Sequence, residues 1–301
     1  MIQQVLHEDF LPVTTNDIPM LMEFIEKAKY PESNHNIVNM FQWFLQFPLW
    51  QFHTENYCLL LGVHKGHLFG YMPLCEKSYF NEAMEKMLAL FKQYDIPFEL
   101  SCFTEDETNA VLGLLPHLSA KAEREAADYI YETEKLRSLS GKKLQKRRNN
   151  YNHFVSEYSN RFSYEDLSLE NIQEVKAYLY TWKRDVSEEY LNYEIQGTDA
   201  ILDLYGTLPY LGGLIRIDGA VKAFIIVSQS TTEMIQINIE KADPEIRGLY
   251  QAIEKEFLER HYLEIPYTNR EDDMGLESLR QAKMALNPLY LLEKFRIKEF
   301  I

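Results

Sequence analysis

Residues 269–283, NREDDMGLESLRQAK, set a run of carboxylates directly ahead of a short helix that carries two cations on its inward side. Wound from Met274 at about 100° per residue, the segment puts Leu276, Leu279, Ala282 and Leu286 on one face, with Glu277, Ser278, Gln281 and Ala285 opposite. Lys283 falls near the middle of the apolar face, and Arg280 lies inside it. Burying a lone ammonium is costly, so Lys283 must meet a carboxylate, reach a polar cavity or give up its proton. Glu271, Asp272 and Asp273 are its nearest partners in sequence. The ordinary alternative lays the lysine stem over apolar neighbours and keeps its head in water.

A second group of cations stands in LRSLSGKKLQKRRNNYNHF. Leu144, Tyr151, Phe154, Val155 and Tyr158 share a helical face, while Lys142, Lys146, Asn149 and Asn150 point away from it. Arg147 lands within the apolar face and Arg148 at its edge. Exposed lysines of this kind read as a solvated helix face. A guanidinium held against packed aromatics can instead clamp a phosphate or carboxylate at two points, which makes this block the chain's clearest anion site.

Other chemistry is thin. The sequence contains no GxSxG, HExxH, P-loop or GxGxxG pattern, and Trp43, Trp50 and Trp182 read as core. His64 and His67 flank a turn at Lys65-Gly66 without further metal ligands, so no metal site is expected. Cys58, Cys75 and Cys102 sit in separate apolar runs and read as buried thiols of a reducing compartment. A formal charge of −15 disfavours a broad nucleic-acid or anionic-membrane surface and leaves only local basic patches for a polyanion. The opening residues MIQQVLHEDFLP show no leader pattern, and no apolar run is long enough to span a bilayer, so a cytoplasmic chain is expected.

The elements that must position these groups follow from periodicity. In the first half, NDIPMLMEFIEKAK predicts a capped helix, MFQWFLQF a second helix within an aromatic-rich stretch, and YCLLLGVHKGHLFGYMPL a hairpin. A helix over SYFNEAMEKMLALFKQYD, a strand PFELSCF, a helix over TEDETNAVLGLLP and a closing strand ADYIYE follow. In the second half, SLENIQEVKAYLYTW predicts a helix, and LIRIDGAVKAFIIVSQS a hairpin turning at Asp218-Gly219. Then come a strand MIQINIEKA, a long helix DPEIRGLYQAIEKEFLERH, a strand EIPYTNR, the helix GLESLRQAKMAL and a final strand NPLYLLEKFRI. Gly66 and Gly219 take equivalent turns in this reading, which implies an internal duplication with one extra strand in the second half. The fold class is α/β (α+β), a mixed and mainly antiparallel sheet flanked by helices in each half, divided into residues 1–132 and 133–301.

Three blocks, GKKLQKRRNNYNHF, IEKADPEIRGLYQAI and NREDDMGLESLRQAKMALNP, together resemble the soluble relatives of the C-terminal domain of bacterial phosphatidylglycerol lysyltransferases. The resemblance is carried by the chain from its basic block to the C-terminus, and by the first half only through the doubling. It implies two tandem GNAT-like units, the fold also found in Fem-type peptidoglycan transferases, whereas the membrane-bound members move an aminoacyl group from charged tRNA to a lipid hydroxyl. The positions that match are Gly141, Lys142, Arg147, Arg148 and Asn149, then Asn269, Glu271, Asp272, Gly275, Arg280 and Lys283. The GNAT coenzyme A loop places Arg or Gln three residues before a glycine at a helix start. Here Glu245 stands at that spacing from Gly248, and Asp243 reads as the helix cap. Free N–H groups and the helix dipole hold the pyrophosphate in that loop, so these acids argue against coenzyme A.

The expected function is therefore acyl or aminoacyl transfer from an activated donor, aminoacyl-tRNA or acyl-CoA, to an amine or hydroxyl. Glu271 or Asp273 would orient the amine or act as base. Lys142, Lys146, Arg147, Arg148, Asn149, Asn269, Asp272, Arg280 and Lys283 would bind substrate, the block 142–148 including any tRNA contact. No tightly held cofactor is expected. The alternative is a non-catalytic module that binds an amino acid or metabolite in the same cleft; general RNA binding is the least favoured reading.

Overall fold

The computed structural model describes residues 9–64, 66–182 and 188–299. Lys65 and the opening residues lie outside these, and so do the expectations placed on them. The first strands in chain order are β1 (Leu11–Pro12), β2 (Leu49–His53), β3 (Tyr57–His64), β4 (His67–Gly70), β5 (Leu74–Cys75), β6 (Glu99–Phe103) and β7 (Ser119–Ala122). Then come β8 (Asp128–Glu132), β9 (Phe162–Asp166), β10 (Tyr210–Ile217), β11 (Ala220–Thr231), β12 (Met234–Ala242), β13 (Tyr267–Asn269), β14 (Tyr290–Leu292) and β15 (Phe295–Lys298). Helices α1 (Ile18–Ala28), α2 (Ile37–Gln42), α3 (Phe80–Gln93) and α4 (Glu105–Leu114) belong to the first half. Helices α5 (Thr133–Ser138), α6 (Gln145–Tyr158), α7 (Ile172–Thr181), α8 (Glu188–Asp203), α9 (Leu249–Leu258) and α10 (Glu277–Met284) follow.

The chain forms two compact units, one of residues 1–127 with 292–301, the other of residues 128–291. In the first, the strand order is β1-β2-β3-β4-β6-β15-β7, with β5 paired to β3. Ala83, Met84, Met87, Leu90 and Phe91 of α3 pack on Leu59, Leu61, Leu100 and Phe103 of this sheet. In the second, the order is β14-β8-β13-β12-β11-β10-β9. There Leu249, Ala252, Ile253 and Phe257 of α9 pack on Ile225, Val227, Ile235 and Ile237. Strands β4 and β6 run parallel, as do β12 and β13, while β3 and β15 pair antiparallel with β4 and β6, and β11 and β8 with β12 and β13.

Local signals held where the chain is locally determined. A capping box between Thr14 and Asp17 precedes α1, which carries a proline in its first turn. The β10–β11 turn has Asp218 at φ 50° and Gly219 at φ 83°, the paired positive angles that a tight hairpin needs. Cys58 and Cys75 are buried, Cys102 is half-buried, and all three are free thiols. Among the described residues no group of His, Cys, Asp or Glu is arranged to hold a metal, and no helix is long and apolar enough to cross a membrane.

Four expectations shift. The helix foreseen over MFQWFLQF ends at Gln42, and Leu49–His53 is a strand. That strand follows the aromatic stretch and buries Leu49, Trp50 and Gln51 in succession, so no alternation marks it. Counting back from α3 and α9, β2-β3-β4 therefore matches β10-β11-β12. Gly66 thus corresponds to the turn at residues 232–233, not to Gly219, and the second half has no extra strand in this meander. The strand ADYIYE, expected to close the first half, is β8 and pairs with β13 in the second sheet. The single final strand is two: β14 ends the second sheet, while β15 lies between β6 and β7 in the first.

The long helix from Asp243 begins only at Leu249, with Gly248 at φ 89° before it. Asp243 instead braces the preceding turn, its carboxylate accepting from the Glu245 N–H at 3.1 Å. A Cβ on Gly248 would lie 2.1 Å from the Asn150 carbonyl oxygen and 2.9 Å from the Phe154 Cβ, so α6 packs directly against the start of α9. Gly248→Ala is expected to cost about 2 kcal/mol or more, since strain at positive φ adds to a clash with backbone. A urea titration reads this directly; an unchanged midpoint would mean that α6 yields without cost.

Candidate functional site

Strand β12 reads MIQINIEKA, and its alternation sorts the site. Ile235 and Ile237 enter the core beneath α9. Gln236 therefore points to the other face, opposite Ser228 on β11 and Asn269 on β13 in register. Ile226 pairs with Ile239 and Val227 with Ile237, which leaves Asn238 as the extra residue of a bulge. The Ser228 hydroxyl donates to Asn238 Oδ1 at 2.7 Å. Asn269 Nδ2 donates to Asp128 Oδ2 at 2.9 Å, and Gln236 Nε2 donates to Glu271 Oε1 at 2.7 Å. Asp128, Ser228, Gln236, Asn238 and Asn269 are all buried. A row of hydrogen-bonding side chains thus crosses four strands and ends at a half-buried carboxylate, Glu271.

The loop after β13 is held by the two cations that the helical wheel turns inward. Lys283 resolves its burial in a way the sequence did not suggest: its ammonium donates to the main-chain carbonyls of Arg270 and Asp272. Arg280 grips Asp273 at two points, Nε to Oδ2 at 2.9 Å and a terminal nitrogen to Oδ1 at 3.0 Å. Tyr129 donates to Asp273 Oδ2 at 2.6 Å, and the Gly275 N–H to Oδ1 at 3.0 Å. Glu271 takes φ 59° and Met274 φ 51°, so the loop is bent into a conformation that ordinary residues avoid. The Glu271 N–H donates to Asn269 Oδ1 at 2.7 Å, which ties this bend to the polar row.

Electrostatics separate these groups. Burial by itself would raise the Asp273 carboxyl, but the hydrogen bonds from Arg280, Tyr129 and Gly275 bring it down to about 2. Burial lowers Lys283 to about 8, against the upward pull of Asp272 and Glu271. An unfolded lysine titrates near 10.5, so between about 8 and 10.5 the unfolded chain binds more protons and unfolding becomes harder as pH rises. Lys283→Met should flatten that part of the stability–pH curve relative to the parent protein. Identical slopes in urea titrations across this range would disprove the linkage.

The basic block divides. Arg147 is mostly buried, with a terminal nitrogen 4.0 Å from Glu254, and burial lowers its guanidinium. Arg270 bridges Glu240 and Glu254 within the same cluster. Arg148 donates to the Leu139 carbonyl at 2.6 Å and also holds Gln145. Lys142, Lys146 and Asn149 are exposed, Asn149 accepting from Gln145 at 2.8 Å. The foreseen cations of the second unit therefore do not share one pocket. Arg280 and Lys283 build the loop, Arg147 joins a buried charge cluster, Arg148 caps a turn, and Lys142 and Lys146 face solvent.

The sequence reading missed Asp128, Ser228, Gln236, Asn238, Glu240 and Glu254. The visible signal was polar residues two apart, Gln236, Asn238 and Glu240, alternating with isoleucines in a central strand. In the first unit the parallel pair meets only at Gly70 and Leu100. Beyond it the Tyr30 hydroxyl donates to the Pro73 carbonyl at 2.9 Å, and His35 Nε2 lies 3.1 Å from the Met72 carbonyl oxygen. Backbone acceptors past that pair are thus met by the unit's own side chains.

The profile of the family described as "Phosphatidylglycerol lysyltransferase, C-terminal" matches residues 27–298. An uncharacterised protein of Mycoplasmoides gallisepticum is 29% identical over 176 residues, 58% of this chain and 56% of that protein, so the match spans little more than half of the relative's length. A conserved protein of unknown function from Bacteroides thetaiotaomicron superposes with a TM-score of 0.89 at 25% identity, over 96% of this chain and 98% of that one. The structure of L-PGS from Bacillus licheniformis superposes with a TM-score of 0.67 at 12% identity, over 94% and 92%, a likeness of fold. The chain therefore belongs to the family described as "Phosphatidylglycerol lysyltransferase, C-terminal", and its two helix-flanked mixed sheets have the fold of the L-PGS structure.

Proposed function

We propose that the second unit transfers an aminoacyl group from an activated donor such as aminoacyl-tRNA to an amine or hydroxyl acceptor. The observation that carries this reading is Glu271, a carboxylate fixed by Gln236 at the end of a buried polar row and set in a rigid, strained loop. Aminoacyl transfer breaks the donor's ester bond to the carbonyl carbon and forms a new amide or ester. The acceptor's proton passes to a base, and the leaving hydroxyl takes a proton. Glu271 is the base in this scheme, because Asp273 is committed to Arg280, Tyr129 and the Gly275 N–H. Gln236 and Asn269 position Glu271, holding its carboxylate and its main-chain N–H, and Asp272 with Asp128 gives the site an acidic character suited to the donor's free amine. Arg147, Arg148, Arg280 and Lys283 act by holding the walls.

An aminoacyl donor is favoured over acyl-CoA because α6 lies against Gly248, where a pyrophosphate would need the free start of α9. Lys142, Lys146 and Asn149, exposed at the start of α6, are the tRNA contact in this reading.

The test is transfer of a labelled amino acid from charged tRNA to a panel of amine and hydroxyl acceptors. The expected result is acceptor-dependent loss of label from the tRNA. Saturable amino-acid binding without turnover would establish the non-catalytic alternative instead.

A further inference from the structure

Glu271 is held at its carboxylate, its N–H and its carbonyl. Gln236 Nε2 donates to the carboxylate at 2.7 Å, Asn269 Oδ1 accepts the N–H at 2.7 Å, and the Tyr129 N–H donates to the carbonyl at 3.2 Å. The Asn269 contact is an Asx turn, in which a side-chain oxygen stands in for a backbone acceptor and fixes the chain where Glu271 bends to φ 59°. An aspartate would supply that oxygen equally well. The amide is required by its other end, where Asn269 Nδ2 donates to Asp128 Oδ2 at 2.9 Å. Asp128 opens β8 and Asn269 ends β13, antiparallel neighbours, so the pair is set by two strands and not by loops. Both residues are fully buried, and water cannot replace a lost partner. Turning the amide over would set its oxygen against the Asp128 carboxylate and its NH2 against the Glu271 N–H, two contacts of like with like.

We infer that Asp128 is a positioning residue for transfer: its carboxylate sets which way the Asn269 amide faces, and the amide holds the main chain of Glu271 so that the base is aimed. Being buried, Asp128 acts through Asn269 and not by touching substrate. The inference rests on the reading of Glu271 as the base.

The experiment exchanges the two side chains in the full chain, through Asn269→Asp, Asp128→Asn and the variant that carries both. Asn269→Asp sets two carboxylates face to face, whereas the double variant restores one donor and one acceptor with the net charge of the parent. Hydrogen exchange of the Glu271 amide is followed by NMR without substrate, and single-turnover transfer and the KM for charged tRNA are measured beside thermal melts. Expected in Asn269→Asp are Glu271 exchange faster by about tenfold or more and a single-turnover rate lower by about tenfold or more, with KM little changed, while the double variant returns both toward the parent. Where Asn269→Asp does not fold, Asp128→Asn carries the test, because a second amide lets Asn269 face either way and Glu271 exchange should quicken. Parent-like exchange in the folded single variants, no recovery in the double variant, or a lowered melting point with parent-like transfer each overturns the inference. A parent protein that transfers nothing overturns the aminoacyl reading instead, and the exchange rates still decide whether Asp128 orients the amide.

Discussion

Arg270→Met is expected to lower the unfolding free energy by about 3–5 kcal/mol, because it leaves two buried carboxylates without the cation that bridges them. Glu240 and Glu254 have side chains only 6% and 1% exposed, and both are held by Arg270. Arg147 cannot replace it, since its nearest approach to Glu254 is 4.0 Å. Burial already raises the Glu240 carboxyl, with Arg270 opposing that rise. Without Arg270 its folded value climbs further above the unfolded one, so the variant loses stability as pH rises through that range and recovers part of it in acid. Urea titrations at neutral and mildly acidic pH measure both effects. A loss below about 1 kcal/mol at neutral pH would mean that the cluster is solvated and its charges are not interdependent. Adding Glu240→Gln to the variant should restore part of the loss, which an unrelated packing defect would not allow.

Glu271→Gln is expected to reduce aminoacyl transfer by about 10²–10⁴-fold while leaving the melting transition in place, the range lost when a general base is removed. Glutamine keeps the length of the side chain and can still bond to Gln236. Asp273→Asn forms the contrast: it weakens the grip of Arg280 and Tyr129 on the loop, so stability and transfer should fall together. Single-turnover rates and thermal melts on the two variants separate a chemical role from a scaffolding one. Parent-like transfer by Glu271→Gln would remove the carboxylate from the mechanism.

Legibility followed how local each determinant is. Asp218-Gly219 announced its hairpin because the turn's two positive φ angles are set by those residues themselves. The inward placement of Lys283 and Arg280 was visible from helical spacing, and Asp273 was among the candidate partners for the buried cations. That Lys283 would bind main-chain carbonyls was not visible, since those carbonyls converge only after residues 271 and 274 adopt left-handed angles. The polar row was hidden for another reason: Asp128, Ser228, Gln236 and Asn269 come from four strands and meet only through register. Sheet membership of β8 and β15 is equally non-local, because a strand of four or five residues does not encode which sheet it enters.

The position of β15 has a bearing on how the chain is made. Synthesis from the N-terminus delivers β6 and β7 early, yet the strand that pairs with both of them, Phe295–Lys298, follows only after every strand of the second sheet. The second sheet has all of its strands once residue 292 has been added. Domains are generally completed in the order of translation, but here the first unit closes after the second, and a nascent chain stalled before residue 295 presents two open strand edges to its neighbours.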